Sequence, residues 1–298
     1  MKKHPAFFVI FFFALGLWLK PLTLFSIDWP SASGAIRKNF GWNDRGLPHL
    51  GITFDTDEEV KAADVGEIFF SRREGDTASR LPSPLGAWTA LDHGDGIVSI
   101  YARMDDKSQT TVAGAATGRT EKGTVLGEAG ISGWTNRKGV YFQLFDRKER
   151  RWLNPALIIT SPDDQRSPEV MTVRLRNDDG QLINPYLTYN IGQGRYTIIV
   201  NAIDTMRSPG ENPLAPYRIM CSLNGSEAGV LSFETFSARD GRLMVYRNGL
   251  VPVRQIYSPV PAYEVADVWF SRGQTTLEII AQDITGNVRN VVYRLMVE

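Results

Sequence analysis

The chain has 298 residues, with 33 Lys plus Arg against 33 Asp plus Glu, so its formal net charge is zero and it has no basic excess of the kind that nucleic-acid binding needs. Its one cysteine, Cys221, excludes an internal disulfide and reads as a buried, inert thiol. No phosphate loop, dinucleotide fingerprint or G-x-S-x-G occurs, which removes the usual nucleotide and serine-hydrolase readings.

At the start, Met1 to Lys3 and the apolar run PAFFVIFFFALGLWL have the form of an export signal. Residues 1–27 are expected to be a signal peptide or an uncleaved N-terminal membrane anchor. Ala6 to Leu19 falls short of the ~20 residues a spanning helix needs, whereas continuation through Lys20 and Pro21 to Ile27 would supply them. No cysteine follows the run, which excludes a lipid anchor of the lipoprotein type. The expected location is the periplasm or cell envelope, with attachment to the inner membrane left open.

The rest reads as almost entirely β. The runs TALDHGDGIVSIYA (89–102), RYTIIVNAI (195–203), YRIMCSL (217–223), RLMVYR (242–247) and TTLEIIAQ (275–282) are short and rich in β-branched and aromatic residues, and turn residues divide them. Roughly 270 residues beyond the leader suit two domains. Thr160 to Val170, TSPDDQRSPEV, interrupts the apolar pattern with prolines and charge. The expected division is a first domain at 36–160, a linker at 161–168 and a second domain at 168–298.

Five segments of the first domain, in order, resemble the LytM/lysostaphin family of zinc endopeptidases, which cut peptidoglycan cross-bridges. FGWNDRGLPHLGITFD (40–55) is similar to the family's F-G-x-R and H-x-G-x-D, and GVYFQLFD (139–146) to its G-x-H-x-H-F. Between them VKAADVGEI (60–68), LDHGDGIVSIYARM (91–104) and KGTVLGEAGISGW (122–134) keep the family's turn glycines and hairpin. The resemblance implies an antiparallel β-sheet or hybrid barrel. It also implies that His49 stands at the first zinc-ligand position, with Thr53 where the ligand aspartate belongs and Gln143 at the third ligand. Tyr141 replaces the histidine that acts on substrate, Arg103 the histidine supporting the catalytic water, and Asn43 the first-motif arginine. His93 matches a turn histidine that is not a ligand.

A catalytic zinc needs three ligands drawn from His, Cys, Asp or Glu. A neutral hydroxyl and an amide oxygen are weak donors, so His49, Thr53 and Gln143 are not expected to hold the metal. Asp55 shares strand parity with His49 and Thr53 and is the one residue that could repair the site if the chain shifts. No cofactor is expected, or zinc if the enzyme alternative holds. The groove-lining candidates are Trp42, Asn43, His49, His93, Arg103, Tyr141 and Gln143, with Trp88 and Trp134 flanking. Each tryptophan would either stack on a sugar ring or pack as wall. Arg103 would either meet a peptide carboxylate through its planar fork or pair with Asp105 or Asp106.

In the second domain GRYTIIVNAID recurs in altered form as QTTLEIIAQDITGNVRN. The latter resembles the penultimate strand and turn of bacterial immunoglobulin-like domains, which implies a β-sandwich. Asp283 would accept backbone N–H bonds there while Gly286 and Asn287 take positive φ. Three function classes follow. One is a non-catalytic envelope protein whose groove binds peptidoglycan or regulates a cell-wall hydrolase. Another is an active endopeptidase with unorthodox ligands. The third is a structural adaptor acting through the immunoglobulin-like domain.

Overall fold

The computed structural model describes residues 27–31, 34–74, 81–109, 119–159, 164–205, 212–257 and 262–298. The expected leader, save Ile27, and the first three linker residues lie outside them. Among the described residues every element is a strand apart from two single-turn 3-10 segments, Pro155–Leu157 and Val253–Gln255.

The first unit is organised by the strand Val140–Asp146. Its alternation puts Val140, Phe142 and Leu144, all fully buried, on the core side and Tyr141 and Gln143 on the other. One edge pairs along its length with Ile97–Met104. The other is shared by Ile52–Asp55 and Arg151–Leu153. Beyond Ile97–Met104 the sheet continues through Ala87–Asp92 to Gly66–Arg72, and it stays open, so no barrel closes. Ile52, Phe54, Val60, Leu91, Tyr101 and Leu126 complete the core beneath. Gly51 makes the central contact possible. A Cβ there would lie 2.2 Å from the Phe142 carbonyl oxygen and 2.8 Å from Tyr141 and Gln143 side-chain atoms, so only glycine lets the strand after His49 reach its neighbour.

The second unit is a sandwich of two sheets. One runs Leu182–Ile183, Glu169–Asn177, Gly194–Ile203, Tyr263–Phe270. The other runs Val288–Val297, Gly273–Gln282, Arg218–Leu223, Ser226–Arg239. Strict alternation in Gly194–Ile203 and Gly273–Gln282 supplies the inward faces. In the turn after Gln282, Asp283 Oδ1 accepts the N–H groups of Thr285, Gly286 and Asn287 at 2.7–2.9 Å. Gly286 alone takes positive φ (99°). The same expectation for Asn287 is corrected, because its side chain donates to Asp283 Oδ2 and to the Asp164 carbonyl instead of freeing its backbone to invert. Cys221 is buried, and burial pushes its thiol up to about 12, as suits an inert residue.

The two units are joined by more than a linker. Residues Thr235 to Ser237 of the long strand Ser226–Arg239 pair with Arg151–Leu153, so one continuous sheet crosses the junction. The segment before His49 is seated in the second unit: Phe40 belongs to that unit's core, against Phe236 at 5.0 Å between ring centroids. Gly41 has φ 84°, and a Cβ there would lie 2.6 Å from the Phe233 ring. The Gly41 carbonyl accepts from Tyr257 Oη at 2.8 Å and from Tyr263 Oη at 3.4 Å. Asn39 bonds the Ala215 backbone in both directions at 2.8 Å.

Because Phe40 lies in the first motif and packs in the second unit, the halves should unfold together. Phe40→Ala is expected to cost about 3–5 kcal/mol and to lower the denaturation midpoint of both halves. Calorimetry or urea titration monitored by probes in each half checks this, and a second unit that melts at its wild-type midpoint would contradict it.

Candidate functional site

Five of the expected residues, His49, Thr53, Arg103, Tyr141 and Gln143, converge where the strands Ile52–Asp55, Ile97–Met104 and Val140–Asp146 meet, but they form a closed cluster rather than an open groove floor. His49 is held by its own backbone, donating to the Trp42 carbonyl and accepting from Gly41 N–H, both at 2.9 Å. Its Nε2 lies 3.0 Å from Thr53 Oγ1, and its ring sits 4.9 Å from that of Tyr141. Burial, reinforced by the positive charges of Arg103, Lys38 and Arg37, holds the His49 pKa well below its usual value, so the imidazole is neutral at neutral pH. Arg103 Nη1 donates to Thr53 Oγ1 at 3.4 Å. Gln143 Nε2 donates to Tyr141 Oη at 2.5 Å. Burial raises the phenol of Tyr141 far above its ordinary value, so it stays protonated. Tyr141 and Gln143 are each only 7% exposed. The expectation that they line an open groove is corrected: they fill it.

Arg103 arrives by a distorted backbone. The register between Ala87–Asp92 and Ile97–Met104 slips between Ala87 and Trp88, leaving Arg103 as the extra residue of a bulge, at φ 66°. Bulges re-aim side chains, and a non-glycine residue in that region costs about 1–3 kcal/mol. The guanidinium lies 5.2 Å from the Tyr141 ring centroid. It pairs with neither Asp105 nor Asp106. The first accepts N–H bonds from Lys107 and Ser108, the second from Glu74.

Three other expected residues lie elsewhere. Trp42 packs on the second unit's core. Asn43 is buried against the same unit, donating to the Ala262 carbonyl at 3.2 Å and accepting from Gly46 N–H at 2.8 Å. His93 bridges the Val65 carbonyl and Ser99 Oγ, each at 2.7 Å, and borders a separate cleft with Gly66, Glu67 and Arg119. Trp88 stacks on Phe70 at 4.5 Å. Trp134 alone of the flanking tryptophans is free to meet a ligand, at 74% exposed. Its loop is fastened by Ser132 Oγ, which donates to the Met104 carbonyl and accepts from Ala87 N–H.

The open space is therefore an adjoining cleft of about 490 Å³ between Arg37, Lys38, Asp44, Arg103 and the Trp134 to Arg137 loop. Arg37, Lys38 and Arg137 are site residues that motif reading passed over. The signal was an Arg-Lys pair just before each motif, at 37–38 and 137–138.

Zinc does not fit this cluster. Thr53 and Gln143 are neutral and already bonded, and Asp55, the one candidate for repair, has both oxygens engaged by Arg37 at 3.0 Å and Arg137 at 2.5 Å. Among the described residues the one group of three acidic or histidine ligands lies at the junction instead, where carboxylate oxygens of Asp164, Asp204 and Asp283 are within 4.8 Å of one another. Burial first, then Asp283 and Asp164, push Asp204 up to about 7 against a countervailing Arg166. Its folded value exceeds the unfolded one, so its stabilising contribution is complete below about 3.8 and is lost as pH rises through about 7. Asp204→Asn is therefore expected to melt progressively higher than wild type from roughly pH 4 to pH 7 and then hold a constant advantage. A difference independent of pH would contradict the assignment.

Residues 47–155 match the model of peptidase family M23, and a second family model covers residues 167–298. No curated protein matches the chain. Among solved structures, the catalytic domain of the prophage-encoded M23 protein EnpA from Enterococcus faecalis is 18% identical over 40% of this chain and 86% of its own, with a TM-score of 0.33. The catalytic domain of the antimicrobial peptidase lysostaphin from Staphylococcus simulans is 18% identical over 38% of this chain and 81% of its own, with a TM-score of 0.32. The SpoIIQ-SpoIIIAH pore forming complex gives 16% over 47% and 94%, with a TM-score of 0.37. With the glycine frame, the central strand and the two motif positions placed as described, residues 47–155 are a domain of peptidase family M23, the LytM/lysostaphin type, followed by a second, C-terminal β domain.

Proposed function

We propose that this chain is a non-catalytic cell-envelope protein whose M23-type domain binds peptidoglycan or regulates a cell-wall hydrolase. The observation that carries the reading is that His49, Thr53 and Gln143, at the positions where the family places metal ligands, are neutral and bonded within the protein, His49 with Thr53 and Gln143 with Tyr141. Without a metal, activating water would fall to a general base, and no group here serves: His49 is sequestered against Thr53, and Arg103 and Tyr141 are protonated at neutral pH. The cleft beside the cluster, with an exposed indole and several cations, supports retained binding. The apolar leader supports export to the periplasm or envelope.

The alternative of a working endopeptidase needs two further strong donors, and Asp55, the carboxylate that could repair the site, is committed to two guanidinium groups. Metal analysis of the dialysed protein is expected to find no zinc that Asn or Ala at His49 removes. Purified sacculi should release no soluble muropeptides above a heat-treated control. One zinc per chain dependent on His49, or such release, would overturn the non-catalytic reading.

For binding, the protein is expected to sediment with insoluble sacculi at moderate salt, where charge attraction alone is screened. Trp134→Ala should weaken retention severalfold, an aromatic contact being worth about 0.5–1.5 kcal/mol. Retention unchanged in that variant would move the contact to the C-terminal domain. No retention of the wild type would leave a protein partner, such as a hydrolase, as the target.

A further inference from the structure

The cleft beside the closed cluster carries four cationic side chains, Arg37, Lys38, Arg103 and Arg137, and one lining carboxylate, Asp44. Asp44 pairs with Lys38 at 2.6 Å, and Asp55 just behind the wall is shared by Arg37 and Arg137. Four cations against these two carboxylates leave two positive charges uncompensated. Arg103 is the one of the four that makes no ion pair among the described residues, Asp44 acting on it only from a distance. It touches a hydroxyl and an aromatic face, and its Nε is buried with no hydrogen-bond partner. Partial burial of an unpaired charge is unfavourable, and an arriving anion relieves it. Burial and the nearby Arg37 lower its pKa from the ordinary guanidinium value, the direction expected of a cation waiting for a counter-charge.

We infer that Arg103 takes over the place of a bound metal as the groove's cation and grips the free carboxylate of a short peptide lying in the adjoining cleft. This rests on the binding reading above and specifies its ligand. A planar guanidinium presents terminal nitrogens that match a carboxylate in two parallel hydrogen bonds, a geometry a lysine or a metal-free histidine cannot offer. The bulge at positive φ supplies the aim, since a regular strand would send residue 103 elsewhere. A volume of about 490 Å³ accommodates a few residues rather than a long polymer. Trp134 offers a face for an apolar side chain or sugar, and Thr135 and Asn136 offer hydrogen bonds for peptide groups.

The test titrates the full chain with N-acetyl-dialanine as the free acid, with its C-terminal amide, and with inorganic phosphate, reading heat and the indole N–H resonance of Trp134. The acid is expected to bind at least tenfold more tightly than the amide and to shift the Trp134 signal. In Arg103→Gln the acid and amide should bind within about twofold of each other, while Arg103→Lys, which keeps the charge and loses the fork, should fall between. Thermal melts establish that both variants are folded, and Arg103→Lys carries the test if Arg103→Gln is not. Equal binding of acid and amide to the wild type, a preference that survives in both variants, or displacement of the acid by an equal concentration of phosphate would each overturn the inference. Retention on sacculi together with equal acid and amide binding would remove the carboxylate anchor and leave the binding reading standing. A clear acid preference without retention on sacculi would do the reverse.

Discussion

The first motif cannot take its shape without the second domain. Asn39, Phe40 and Gly41 sit among Phe233, Phe236, Tyr257 and Tyr263, and two tyrosine hydroxyls converge on one carbonyl. From that anchor the chain turns through Trp42 and back to His49 by a pair of backbone hydrogen bonds. The position of His49, and with it the whole cluster, is therefore set by packing in a unit far along the sequence. An aromatic core of this kind tolerates little volume change, so the loop before His49 has almost no freedom to adjust to a ligand or an ion.

Within the M23-type domain the polar side chains at the two motif positions are satisfied by hydrogen bonds. His49 pairs with Thr53, and Gln143 with Tyr141, in a site with little access to water. Such a network is stable only when complete, because each buried polar atom left unpaired is costly. Restoring one family residue alone would break bonds without assembling a ligand set.

Much of this was legible in the sequence. The order of the five segments gave the M23-type frame, and Tyr141 and Gln143, two apart in GVYFQLFD, share one face of their strand. What failed did so for a common reason. Periodicity assigns a face, but it does not say what covers that face. Tyr141 and Gln143 do share the groove side, yet they are bulky enough to close it. Trp42 and Asn43 sit in the motif by sequence and in the neighbouring domain by contact, and no local pattern announces a partner some 200 residues away. His93 keeps a structural task, joining Val65 to Ser99, that its turn position alone left undefined. The basic cleft was visible only as two Arg-Lys pairs, whose convergence depends on strand order.

The reach of the Gly41 contacts also bears on how the polypeptide is made. Its hydroxyl partners lie 216 and 222 residues further along the chain. Phe40 emerges from the ribosome early and then has no pocket to enter until nearly the whole sequence has been synthesised. An N-terminal domain that folds while the rest is still growing would here leave the segment around Phe40 and Gly41 undocked until the second unit is made. An apolar side chain that must wait so long is an opening for holding chaperones.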